Sequence, residues 1–450
     1  MQDFQKMVFY IQRRNHSKNK NDCMKQRNLF FCLAGMMMLA MAFSSCGEGY
    51  GDDESGMTAE FDADPSGYGS GGSKDGGSGT SDGSGDGIGL GATDASDDGN
   101  DDNGNTQAGV VTAGEWSDLT HWMFWSKLML GSDYKEMCDY WQFYTNNRIA
   151  LRVTDGAGNP VAGVNVKLLR RDATLWQAVT DNHGLAECWI GLSQKETATA
   201  QDLRISLNDQ VMTEQPVVSN WDAQQEHVVN EYVFNKKVSV KQQADIAFIV
   251  DATGSMTDEI NFLKSDLDDI IGKVALLRPA ITMRTAALFY RDTNDEYLTR
   301  YSDFTQKLND TRTFIGKQRA DGGGDYPEAV HTALERSLQD LSWDEGARTR
   351  LAFMLLDAPA HHQDDVIKSL QQSIALMARQ GIKLIPIAAS GVDKNTEFML
   401  RFFAISTGGT YVFLTNHSGV GGEHIEASVG EYKVEQLNSL IVRLIDYYTE

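Results

Sequence analysis

Oxygen donors are the residues of this sequence that suggest chemistry, and they recur at three places in its carboxy-terminal half. Asp251, Ala252, Thr253, Gly254, Ser255 and Met256 follow the apolar run Ile246 to Val250. A second group reads Asp321, Gly322, Gly323, Gly324, Asp325, Tyr326, Pro327, Glu328, and Asp357 closes the apolar run Leu351 to Leu356. A hard cation such as Mg²⁺ takes about six oxygen ligands near 2.1 Å and keeps several waters, so two hydroxyls, a carboxylate and water-holding carboxylates suit it. Thiols and imidazoles are not needed. Residues two apart at a strand-to-helix turn can aim both side chains at one point, which is the spacing of Thr253 and Ser255. The competing explanation is helix capping, since Asp325 with Glu328 and Ser255 with Asp258 both have capping-box spacing. Capping alone does not explain why three separate strand ends all supply acidic or hydroxyl groups.

The elements that must position these groups follow from periodicity. From Asp245 onward short apolar runs alternate with amphipathic segments: Ile260, Leu263, Leu267, Ile271 and Val274 repeat at helical spacing. Ile281 to Tyr290 and Tyr297 to Phe304 are strand-like, Pro327 to Leu341 is helical, and Leu351 to Leu356 suits a central parallel strand. Val366 to Arg379, Ile382 to Ala389, Thr396 to Ile405, Tyr411 to Leu414 and Val434 to Tyr448 continue the alternation. The pattern predicts an α/β, doubly wound, mostly parallel Rossmann-like sheet, in which ligands sit over the carboxyl ends of the strands.

The segments DATGSM, DGGGDYPEAV and LLDAPAH resemble the three loops of the von Willebrand factor A family and its metal-ion-dependent adhesion site, over residues 243–450. The resemblance implies direct coordination by Thr253 and Ser255, with Asp251 and Asp357 acting through waters. Thr253 replaces the family's usual first Ser. The family's second-loop Thr falls on Asp325, and that is the departure. A hydroxyl there leaves the ion electrophilic toward a partner's Glu or Asp, whereas a carboxylate neutralises part of that pull, so Asp325 implies a tighter metal and a weaker grip on an acidic partner. The resemblance thus implies Mg²⁺ (or Mn²⁺ or Ca²⁺) as cofactor and a protein or glycan ligand.

Ahead of this region, residues 114–242 form a different block. Glu115 to Tyr144 is dense in aromatics, with Trp116, Trp122, Trp125 and Trp141 at helical spacing, which predicts a packing layer more than an exposed platform for stacking glycans. Ile149, Leu151, Val153, then Val164, Val166, Leu168, and later Ala186, Cys188, Ile190 and Leu203, Ile205, Leu207 alternate as antiparallel strands. RVTDGAGNPVAGVNVKLL and TDNHGLAECWIGL resemble the carboxypeptidase-regulatory-like, transthyretin-related β-sandwich family. Those motifs are turn and core residues and imply fold, not chemistry.

The amino-terminal quarter reads as targeting and tether. Lys25 and Arg27 precede the apolar run Leu29 to Phe43, and Ser44 and Ser45 lead into Cys46, the order of a secretion signal over residues 24–45. The arrangement resembles a bacterial lipobox with Phe43 in place of Leu, which implies acylation of Cys46. The acidic residues Glu48, Asp52, Asp53 and Glu54 behind it are similar to an export signal of surface lipoproteins, so an outer-membrane, outward-facing location is the expectation. Residues 1–23 read as an over-read upstream of Met24. Residues 46–113 are Gly, Ser and Asp with few apolar side chains, a linker expected to be disordered.

The net charge of −23 argues against a nucleic-acid partner, because that affinity rests on clustered Lys and Arg. Binding, not catalysis, is the expected activity. The main enzymatic alternative takes Asp251 as nucleophile, since Asp251 to Ser255 resembles the phosphorylated D-K-T-G-T loop of P-type ATPases, with Ala252 in place of Lys. A Walker loop and a G-x-S-x-G elbow are absent. His361, His362 and Asp364 could form part of a zinc site, although histidines in a polar loop are usually only solvated.

Overall fold

Residues 111–196, 201–221, 226–418 and 423–450 are described by the computed structural model. Cys46, the apolar run before it and nearly all of the Gly/Ser/Asp stretch lie outside the described residues. Among the described residues no helix is long and apolar enough to cross a membrane.

The described chain opens with strand β1 (Thr112–Trp116) and two short helices, α1 (Trp122–Met129) and α2 (Ser132–Trp141). Seven strands follow: β2 (Arg148–Thr154), β3 (Asn165–Arg170), β4 (Ala173–Val179), β5 (Leu185–Trp189), β6 (Leu203–Leu207), β7 (Gln210–Val211) and β8 (Val229–Val233). They form two sheets, β5-β2-β8 and β4-β3-β6-β7. Period-two alternation puts Leu151, Val153, Val166, Leu168, Cys188, Ile205 and Leu207 into one shared core. The pairing is antiparallel except that β8 runs parallel to β2, which an uninterrupted meander would not give. Turn chemistry fixes the register. Asp181 Oδ1 accepts from the backbone N–H of His183 and Leu185, and Gly184 has φ of +74° with the Val153 carbonyl 2.3 Å from where a Cβ would sit, so only glycine fits.

The remaining elements are β9 (Lys241–Asp251), α3 (Thr257–Leu277), β10 (Thr282–Tyr290), β11 (Thr299–Thr305), α4 (Leu308–Gly316), α5 (Val330–Asp340), β12 (Ala347–Leu356), α6 (Asp364–Gln380), β13 (Ile382–Ala388), α7 (Lys394–Thr407), β14 (Tyr411–Leu414), β15 (Glu435–Gln436) and α8 (Leu437–Thr449). They build a mixed, mostly parallel eight-stranded sheet in the order β11-β10-β9-β12-β13-β14-β1-β15. β10, β9, β12, β13 and β14 are parallel to one another, β11 and β1 add antiparallel at the two sides, and β15 pairs antiparallel with β1.

Both faces of the sheet are covered, which is why its central strands are continuously apolar. Ile246, Phe248 and Val250 of β9 point to α3 and α8, whose Leu263, Leu267, Leu440 and Ile441 meet them. Ile249, Met354 and Leu356 point to the other face and to α5, α6 and α7. Each such large side chain contributes roughly 1.5–3 kcal/mol by leaving water.

The four tryptophans singled out from the sequence are core: Trp122, Trp125 and Trp141 are fully buried and Trp116 is 5% exposed. They join the β-sandwich to the large sheet. Phe143 stacks on Phe402 of α7 at 3.6 Å, and the buried Arg401 is paired bidentately with Asp118, which also accepts from the Trp116 indole. Across the same junction Lys383 meets Asp181 at 3.0 Å. Cys138 and Cys188 are buried free thiols, and burial pushes Cys138 up to about 12.

Candidate metal centre

The chain leaves β9 for β10 on one side and returns to β12 on the other, so strand order reverses between the carboxyl ends of β9 and β12. Open α/β sheets bind ligands in that crevice. Asp251 is the last residue of β9, and Asp357 immediately follows β12. The parallel register, with Leu355 opposite Val250, brings these two acids to the same level.

Asp251 is fully buried, and its Oδ1 accepts from both the Thr253 hydroxyl (2.7 Å) and the Thr253 N–H (2.9 Å). Its Oδ2 is buried and, among the described residues, makes no hydrogen bond of ordinary geometry, although the Tyr290 hydroxyl faces the carboxylate closely enough to lower its pKa. Thr253 is 2% exposed, whereas Ser255, two residues further on, is exposed. Ser255, Asp325, Glu328 and Asp357 line one open cleft of about 560 Å³, together with Tyr326, Ser390 and Glu423. Three of the sequence-derived candidates, Ser255, Asp325 and Asp357, therefore line this cleft, Asp325 on its exposed rim, while Asp251 and Thr253 are buried and do not line it. No side chain caps α3 or α5, which start after Met256 and Ala329. The capping-box explanation of Ser255 and Asp325 is accordingly not realised.

Backbone hydrogen bonds lace the loops together. Asp321 N–H donates to the Ala252 carbonyl and Gly254 N–H to the Gly322 carbonyl, tying the first loop to the second. Glu328 N–H donates to the Pro359 carbonyl, and Glu328 bridges Ala360, tying the second to the third.

A fourth loop, between β10 and β11, was not singled out from the sequence. Its Asp295 accepts from the Gly323 N–H at 3.1 Å, with Gly322 at φ +82° and no room for a Cβ beside the same carboxylate. Asp292, 6% exposed, receives His361 Nε2 at 2.7 Å. The carboxylate of Asp325 lies within 4.8 Å of both ligand atoms. His362 goes elsewhere, stacking on Tyr140 of α2 at 3.5 Å, and Asp364 is exposed at the start of α6, so His361, His362 and Asp364 do not share one site.

The electrostatics of the crevice are those of crowded acids. Burial, then the charge of Asp357, raises Asp251 to about 7. Burial, then the charges of Asp251, Asp292, Asp295 and Asp357, raises Glu328 to about 9; this residue is 3% exposed and its Oε2 has no hydrogen-bond partner among the described residues. Asp357 and Glu259 are also raised by burial, with the Ser255 hydroxyl pulling Asp357 back down. Buried carboxylates that raise one another are what a cation or a proton must neutralise. Glu328 was seen in the sequence only as a cap, and the signal that would have found it is its place in the Asp-Tyr-Pro-Glu run ahead of a buried helix.

No profile of a known protein family matches the chain. Among curated proteins it is similar to one named as an ariadne-like RING finger protein from Acanthamoeba polyphaga mimivirus, 32% identical over 130 residues, covering 29% of this chain and 12% of that protein. It is also similar to the alpha-protein kinase vwkA of Dictyostelium discoideum, 27% identical over 165 residues, covering 36% of this chain and 26% of that protein. The chain thus spans only a small part of either relative.

Proposed function

We propose that the carboxy-terminal α/β region is a divalent-cation-dependent binding module of the von Willebrand factor A type, carried by a surface lipoprotein anchored through Cys46. The observation that carries this reading is the convergence of three buried acids, Asp251, Glu328 and Asp357, with the hydroxyls of Thr253 and Ser255 where the strand order reverses. That donor set fits Mg²⁺, Mn²⁺ or Ca²⁺. Ser255 and Thr253 would hold the ion directly, with Asp251, already oriented by Thr253, and Asp357 holding its waters. Asp325 supplies a carboxylate at the rim. Bound there, the ion would supply an electrophilic position for a protein or glycan oxygen, weakened toward acidic partners by Asp325.

A phosphoryl-transfer reading is less well supported. A nucleophile must reach its substrate, and Asp251 is fully buried, with one oxygen committed to Thr253 and the carboxyl pushed up to about 7 by burial. The decisive experiment follows thermal stability of chelator-stripped protein as Mg²⁺, Mn²⁺ or Ca²⁺ is added, then repeats a cross-linking pull-down from intact cells with and without EDTA. Metal-dependent stabilisation and capture, both lost in a Thr253→Ala, Ser255→Ala double variant, are expected. Stabilisation without capture would instead favour a metal-stabilised scaffold, and the absence of both effects would end the proposal.

A further inference from the structure

The candidate centre above leaves part of its surroundings unused. Asp292, on the loop after β10, and His361, the last residue of the third loop's LLDAPAH segment, are joined at 2.7 Å through Oδ1 and Nε2. Asp325, from the Gly-rich second loop, offers an oxygen within 4.8 Å of both. The sequence separation is 69 residues between Asp292 and His361, so no local turn accounts for the meeting.

We propose that Asp292, Asp325 and His361 form a second cation site beside the first, suited to a zinc-class ion that accepts imidazole. Hard Mg²⁺ prefers all-oxygen shells, whereas one His nitrogen with carboxylates suits Zn²⁺ and its first-row neighbours. Tetrahedral ligands at 2.0–2.1 Å lie roughly 3.4 Å from each other, so closing the triangle on an ion requires the Asp292–His361 pair, now at 2.7 Å, to open by about 0.7 Å and the exposed Asp325 to move inward.

An independent observation points to a ligand. Glu328 is 3% exposed, has an Oε2 with no hydrogen-bond partner among the described residues, lines the cleft that Asp325 also lines, and feels the charge of Asp292 and Asp295 as well as that of Asp251 and Asp357. Its carboxylate faces the same cleft as Asp325, beside the triad of Asp292, Asp325 and His361 and not one of its three ligands. The supports are rigid, since Asp295 ties the Asp292 backbone to Gly323, and the Glu328–Ala360 bridge fixes the residue before His361. On loading, the neutral imidazole would take the tautomer that carries its single proton on Nδ1, leaving the Nε2 lone pair and the Asp292 Oδ1 free to face the ion. Asp325 belongs to both sets and would bridge the two ions. The second site otherwise uses none of the residues of the first.

The test is a calorimetric titration of Zn²⁺ into the chelator-stripped full chain with Mg²⁺ in excess. We expect a zinc event that His361→Gln and Asp292→Asn each weaken at least tenfold and that the Thr253→Ala, Ser255→Ala variant keeps. A zinc isotherm unchanged by His361→Gln and Asp292→Asn, or abolished only by the Thr253 and Ser255 changes, overturns the proposal. Because a variant can fail to fold, histidine footprinting of the wild-type chain provides a second measure: Zn²⁺ should protect His361 and leave the exposed His121 reactive. Equal reactivity of His361 with and without Zn²⁺ also overturns it. Loss of Mg²⁺-dependent stabilisation with the zinc event intact would refute the first centre alone.

Discussion

Replacing Glu328 by Gln tests the electrostatic argument in the metal-free protein, because the amide keeps the shape of the side chain and removes its charge. Glu328 has an ordinary value of 4.5 and is raised to about 9 by burial first and by four neighbouring acids after it. Between those values the folded chain holds a proton that the unfolded chain has released, so stability falls as pH rises through that window. At pH 7 the gap is at most about 2.5 units, and at 1.36 kcal/mol per unit this disfavours folding by up to about 3 kcal/mol. Gln lacks the titration. With EDTA present, Glu328→Gln is expected to be more stable than wild type by up to about 3 kcal/mol at pH 7, with the two converging near pH 4. Saturating Mg²⁺ should shrink the difference, because a cation neutralises the same group. Urea unfolding at a series of pH values gives the comparison. A difference independent of pH between 4 and 9, or a glutamine variant less stable at neutral pH, would refute the claim that the acids of this crevice are held against their own repulsion.

Asp118→Asn leaves the fully buried Arg401 without its bidentate partner and is expected to cost about 3–5 kcal/mol in urea unfolding, far more than loss of the exposed Lys167–Asp209 pair. Gly322→Ala meets both a positive φ and the Asp295 carboxylate, so a loss of more than about 1 kcal/mol is expected, with weaker Mg²⁺ stabilisation in the same thermal melts. Asp325→Thr restores a hydroxyl at the rim; calorimetry should find Mg²⁺ bound less tightly, and a carboxylate-bearing peptide bound more tightly in its presence. Chelator-stripped wild-type protein should lose stability as pH rises from 4 through 7, the range over which Asp251 passes from its ordinary value to its raised one, and the Mg²⁺-induced rise in melting temperature should grow over the same range.

What could be read from the sequence was whatever depends on neighbours in the chain. Period-two runs gave the strands of the sandwich, and a 3.6-residue repeat gave α3, α6 and α8, because burying one face of each element is a local requirement. The three oxygen-bearing loops were visible for the same reason: each follows an apolar strand, and strand ends in such a sheet share one rim. Contacts between distant segments were not visible. β1 pairs with β14 some three hundred positions later, and its residues Thr112 and Ala113 lie at the end of a stretch whose composition reads as tether. Asp292 and Asp295 sit in the polar segment RDTNDEYL, indistinguishable by composition from a solvated turn, and they reach the crevice only because β10 lies beside β9 in parallel register. Glu328 shows the limit most clearly. Three residues after Asp325 it satisfies the spacing of a helix cap, yet α5 begins later and the carboxylate is turned inward among other acids. Spacing specifies which residues can share a turn, whereas the accumulation of like charge in one buried crevice is a property of the assembled sheet. It is therefore the crowding, not the motif, that most strongly argues for a bound cation.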